Sequence, residues 1–156
     1  MKRRMLRKKD AKRVLSEIKE RCGVDISGSV EVVEFDKTNA VLIDGEFLAI
    51  EHEGKYYLSV LGVMKFKPER GRVVVDDGAT KFIINGADVM KPGIVEADEG
   101  INEGDFCYVV VEGKFTPLAV GIALCRGVEM VGGKGKAVKN IHHINDRLWK
   151  ELIVKM

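Results

Sequence analysis

Apolar positions change their period along this chain. Ala11, Val14, Leu15, Ile18 and Cys22 recur at helical spacing, forming one face of a helix that Gly23 is placed to end. Upstream, Lys2, Arg3, Arg4, Arg7, Lys8 and Lys9 read either as the first turns of that helix or as a mobile arm. From Ser29 the period becomes two. Val30, Val32 and a closing Phe35 predict one strand, and residues 40–43 and 46–50 flank Asp44-Gly45, a type I′ hairpin signal. Glu53-Gly54 predicts a second hairpin running into 55–60, although Leu58, Leu61 and Met64 are also spaced for a short helix. Residues 68–71 read as a linker.

Beyond the linker, strands dominate. Residues 72–75, 94–97, 106–112, 115–125 and 136–144 are the predicted ones, joined by glycine-containing turns such as 102–105 and 112–114. One short helix interrupts them. Asp76 and Asp77 offer a side-chain cap, and Ala79, Phe82 and Ile83 follow at helical spacing. Gly86 suits a left-handed end, and Pro92-Gly93 forces a turn before Ile94. With glycines at 78, 86 and 93, the backbone here is built for close approach by something. Short strands, frequent turns and one helix predict a small closed or nearly closed barrel.

The 156 residues suffice for one domain or two small ones. The three cysteines, Cys22, Cys107 and Cys125, have no metal-ligand spacing, and their odd number argues against a disulfide framework. A reducing, cytoplasmic setting is expected. No apolar segment follows the basic N-terminus, and the nearly uncharged run 115–125 is too short for a bilayer, so no membrane partner is expected. Net charge is +2, yet residues 1–21 carry +7 and the remainder −5. Such a dipole steers its basic end toward polyanions, unless the basic run is simply a solvated face.

The stretch 75–95, VDDGATKFIINGADVMKPGIV, resembles the signature of the PUA domain, an RNA-binding module. The segments INEGD (101–105), AVGIA (119–123), GKGKAV (133–138) and NIHHINDRLW (140–149) extend the likeness. Together with IDGEFL (43–48), they make the chain similar to the malignant-T-cell-amplified-sequence family, whose domain pair also occurs in ligatin. The resemblance implies an α+β chain. Residues 1–71 would form a pre-PUA α+β unit, and 72–156 a PUA β pseudo-barrel with a short helix. It implies binding to structured RNA, a tRNA or the small ribosomal subunit, in translation initiation or recycling. A translation-factor partner stays open. The RNA-binding positions it implies are Lys81, Gly86, Ala87, Asp88, Lys91, Pro92 and Gly93, with the basic strand around Lys136.

Charge adds Arg126, Lys134 and Lys139 to Lys136 as a basic pole, because a one-sided basic strip neutralises phosphates. Its acidic counterpart is Glu96, Asp98, Glu99, Glu103 and Asp105, a solvated rim rather than an acid–base pair. Adjacent His142 and His143 on a strand point to opposite faces and do not chelate one ion together. One is expected to be packed and the other to face RNA or solvent, while Trp149 is expected to lie as a lid on the core. No nucleophile arrangement, phosphate loop or cofactor fingerprint is present, so neither enzymatic activity nor a cofactor is expected. A detached RNA-binding subunit of a transglycosylase or pseudouridylation complex is the alternative, and a protein-docking scaffold a third reading.

Overall fold

The computed structural model describes residues 2–154. The basic N-terminus divides: Lys8 and Lys9 start the helix, whereas residues 2–7 before them form neither helix nor mobile arm. Arg3–Met5 form a strand, β1, and helix α1 begins only at Lys8 and runs to Cys22. Two contacts explain the difference: the Arg3 guanidinium bonds the Glu31 carboxylate at 3.0 and 3.1 Å, and Leu6 packs against the core. Gly23 ends α1 as expected, at φ 73°, its N–H donating to the Lys19 carbonyl. Ala11, Val14, Ile18 and Cys22 are buried along the stripe, and Leu15 half-buried.

Strands β2 (Val30–Val33), β3 (Thr38–Ile43), β4 (Glu46–His52) and β5 (Lys55–Leu58) complete a five-stranded antiparallel sheet in chain order. Both hairpin signals hold. Asp44-Gly45 and Glu53-Gly54 take positive φ at both positions, matching the twist of the strands they join. Phe35 falls outside β2, half-buried. After Leu58 the helical alternative prevails. The Ser59 hydroxyl accepts from the Gly62 N–H at 3.0 Å and donates to the Phe47 carbonyl at 2.8 Å, capping helix α2 (Val60–Phe66).

The second sheet contains β6 (Arg72–Val75), β7 (Val89–Met90), β8 (Ile94–Ala97), β9 (Phe106–Val111), β10 (Pro117–Ala123) and β11 (Lys136–His143). Helix α3 (Thr80–Ile83) follows β6, and α4 (Arg147–Trp149) follows β11. The order is β7-β11-β10-β9-β6-β8, with β6 parallel to β9 and every other pair antiparallel. The outermost strands, β7 and β8, are joined by the turn Lys91–Gly93, so the sheet curls into a nearly closed barrel. The fold is thus α+β, with the barrel that the strand pattern predicts.

Strand β9 is buried at all six positions. Its Cys107, Val109 and Val111 fill the barrel, while Phe106, Tyr108 and Val110 join α1 and the first sheet in a second core. Successive strand residues face opposite sides, so one continuous apolar run serves two cores. Polar bonds reinforce the seam. The Tyr108 hydroxyl donates to the Pro68 carbonyl at 2.6 Å, and the Thr38 hydroxyl to the Ile141 carbonyl at 3.3 Å.

Candidate nucleic-acid interface

The segment around α3 is tied at both ends. Asp76 accepts the Ala79 N–H through its carboxylate at 3.2 Å, capping a tight turn (Asp77–Ala79) that leads into α3, and its own N–H donates to the Gly93 carbonyl at 3.0 Å. Of the three residues expected on one apolar helix face, only Ile83 is buried; Ala79 is half-buried, and Phe82 is 59% exposed. The helix is a single turn at the barrel's surface, too short to bury more than one of them. Gly86 ends it at φ 97°, a conformation costly for any side chain.

The segment after Gly86 is pinned to β11. The Asn140 side-chain amide donates to the carbonyls of Ile83 and Ala87 at 3.1 and 3.0 Å. Its backbone N–H donates to Asp88 Oδ1 at 3.0 Å, and the other Asp88 oxygen pairs with the Lys136 ammonium at 3.1 Å. Asp88 and Ala87 therefore position the segment. Asn140 is the organising residue that sequence reasoning did not single out; its place in the NIHH segment was the available signal. Between α3 and the β7 turn lies a groove of about 410 Å³, with Gly78, Ala79 and Phe82 on one side and Met90, Pro92 and Gly93 on the other. Met90 is 46% exposed, so two large apolar side chains stand at its rim.

The expected basic strip is divided. Lys136 stands opposite Met90 in the β7–β11 register, and the Lys91 N–H bonds the Gly135 carbonyl at 2.9 Å, bringing Lys91 against the loop that carries Lys134. Lys81 lies on α3, its ammonium 5.2 Å from the Phe82 ring centre. None of these lysines lines the groove itself; Lys81, Lys91 and Lys136 neighbour Phe82, Pro92 and Met90, which do. Lys139 instead reaches toward Glu53 of the first sheet at 3.9 Å. Arg126 is committed to Glu129 at 3.2 Å, and that bond holds the Glu129 carboxyl below its usual range. Among the described residues Lys81, Lys91 and Lys134 make no ion pair.

His142 is fully buried, with Nδ1 2.7 Å from Asp146, whose other oxygen caps α4 through the Trp149 N–H at 2.9 Å. His143 is half-buried behind Gly86, where a Cβ would lie 3.3 Å from its Nε2. Trp149 packs on the first core, as a lid does. The acids at 98 and 105 are loop staples: Asp98 accepts the N–H groups of Gly71 and Gly100, and Asp105 that of Asn102. Burial pushes the Cys22 thiol up to about 12, away from any nucleophilic role.

The PUA domain family matches residues 71–144, and a domain of unknown function, DUF1947, matches 2–65. An uncharacterised protein of Methanocaldococcus jannaschii is 44% identical over 154 residues, 95% of each chain. Translation machinery-associated protein 20 of Schizosaccharomyces pombe is 32% identical over 124 residues, covering 76% of this chain and 68% of that one. The chain belongs to the PUA-domain family that includes these proteins. The malignant T-cell-amplified sequence proteins, to which the sequence motifs pointed, match as well. A hypothetical protein from Pyrococcus horikoshii OT3 shares the fold of this PUA protein in its crystal structure, at 39% identity and TM-score 0.84, over 97% of this chain and 99% of that one. RNA binding follows from the PUA domain. Among the described residues no helix is long and apolar enough to cross a membrane, and no group of three or more His, Cys, Asp or Glu is placed to hold a metal ion.

Proposed function

We propose that this PUA protein binds structured RNA, a tRNA or small-subunit rRNA, during translation initiation or recycling, through the groove beside α3. Relatives named for the translation machinery support the setting. The observation that carries the site is the groove itself. Phe82 and Met90 stand exposed over an open floor of Gly78 and Gly93. Lys81, Lys91 and Lys136 adjoin these lining residues in sequence or strand register, with Lys134 on the loop that Lys91 meets. Exposed rings stack on unpaired bases, bare backbone lets a nucleotide come near, and the ammonium groups meet phosphates. In this reading the protein supplies positioning only.

Crosslinking the full chain to RNA in cells, then sequencing the bound RNA and mapping the attached residues, tests this directly. Crosslinks at Phe82, Met90 or Lys134 with tRNA or small-subunit rRNA are the expected outcome. Phe82→Ala should weaken binding by about 1–3 kcal/mol, the usual worth of one stacked base, without changing stability by more than about 0.5 kcal/mol. With about three ammonium groups not held by acids, log K against log salt should slope near −2 to −3. A flat salt response, or crosslinks confined to another face, would remove the groove from consideration.

A further inference from the structure

A second groove lies on the other unit, far from α3 in sequence. It runs between α1 and the loop 25–29 and encloses about 660 Å³. Leu6, Ala11, Leu15 and Ile26 form its aliphatic floor, and Met5 stands at its mouth, 62% exposed. Lys8, Lys12 and Lys19 line the helix side. Asp25 is the acid in this lining, and Lys19 already pairs with it at 3.5 Å. From Lys8 to Lys19 the helix extends roughly 16 Å, the length of three turns.

The sheet edge adds a second feature. Lys2 accepts from the Glu34 N–H and Leu6 donates to the Val30 carbonyl, so residues 2, 4 and 6 turn their main-chain groups toward β2. By the alternation of an antiparallel ladder, those of Arg3 and Met5 face outward at the open edge. Open main-chain groups thus adjoin an apolar trough.

We infer that this groove docks an acidic segment of a protein partner, one that seats a few aliphatic side chains on Leu15 and Ile26 and sets carboxylates against the lysine rim. Charge complementarity selects the sign of the partner: residues 1–21 carry +7, while the rest of this chain carries −5. The lining selects the kind. It holds no aromatic ring, whereas single-stranded nucleic acids are held by stacking, and a floor of leucine, isoleucine and a pliant methionine suits aliphatic anchors.

The test uses the full chain, isotope-labelled, with a synthetic peptide of about twelve residues in which acidic pairs alternate with leucine pairs, long enough to lie along the three turns. Amide signals of residues 5–19 and 25–29 should shift. Leu15→Glu should weaken the peptide by roughly tenfold or more, as loss of an interface anchor does. Lys12→Glu, at an exposed position that leaves packing untouched, should weaken it severalfold. A peptide with lysine in place of its acids should not bind. Shifts elsewhere, wild-type affinity in both variants, or equal binding of the basic peptide would overturn the inference. So would a short oligouridine RNA that shifts these same amides while the acidic peptide does not. None of these outcomes bears on the α3 groove.

Discussion

In β10, Gly121 faces the Lys139 carbonyl so closely that no Cβ would fit, and Gly127 and Gly62 meet the carbonyls of Asp98 and Leu48 in the same way. Beside the α3 groove, Gly93 has only the Ala79 methyl within 4 Å of a notional Cβ, at 3.3 Å, and Gly78 only an Asp76 oxygen, at 3.2 Å. Glycine thus does opposite work in two regions. In the framework it lets backbones touch, and a side chain would have to displace main chain. At the groove it leaves room, and a side chain would mostly fill space that something else could use. Gly86 stands between the two: its surroundings are open, but its φ of 97° excludes most residues.

That contrast is sharpest at Gly121. Gly121→Val should cost at least about 3 kcal/mol, the upper range of overpacking, and lower the midpoint of chemical unfolding accordingly. A near-normal midpoint would mean that the framework yields more readily than its packing implies. Removing residues 2–7 should cost about 1–3 kcal/mol, because it strips β1 and Leu6 from the first sheet. A mobile arm would come off without loss.

Asp146 probes the framework by pH. Burial alone would raise its carboxyl, but the bond from His142 and the N–H groups of Trp149 and His143 outweigh that and hold it below the ordinary value. A depressed carboxyl contributes stability above its unfolded value and loses it as pH falls through the folded one. Asp146→Asn should therefore cost about 1–2 kcal/mol at neutral pH, with the gap to wild type narrowing below about pH 4. A gap independent of pH would reduce Asp146 to a neutral helix cap.

The groove and its neighbour Gly86 are expected to tolerate change at least as well as Asp146, and Gly93 best of all. Gly86→Val should cost about 1–2 kcal/mol through backbone strain. Gly93→Val should cost no more than about 1 kcal/mol while lowering RNA affinity roughly tenfold, since its branched side chain would occupy the floor. Equal losses of stability at Gly93 and Gly121 would erase the distinction between the regions.

Sequence periodicity was sufficient for nine of the eleven described strands, the two hairpins and the barrel, because those follow from alternation and turn chemistry alone. It did not show the two-residue β7, too short to carry a period, nor that β1 exists. Three residues with two arginines carry no strand pattern, and what orders them is a distant partner, Glu31. Nor did it separate Phe82 from Ile83: helical spacing groups residues on one side without saying which of them a single turn can bury. At the candidate interface the glycines and lysines were legible as residue types. Their division was not, since the pairing of Lys139 with Glu53 and of Lys136 with Asp88 depends on which strands become neighbours.

The double duty of β9 has a thermodynamic corollary. Phe106, Tyr108 and Val110 lie under the first sheet while their alternating neighbours fill the barrel, so neither half can lose its structure without wetting apolar surface on the other. Heat should therefore produce a single cooperative calorimetric transition. The second half made alone would carry an uncovered stripe of aromatic and branched side chains, and should self-associate instead of staying monomeric.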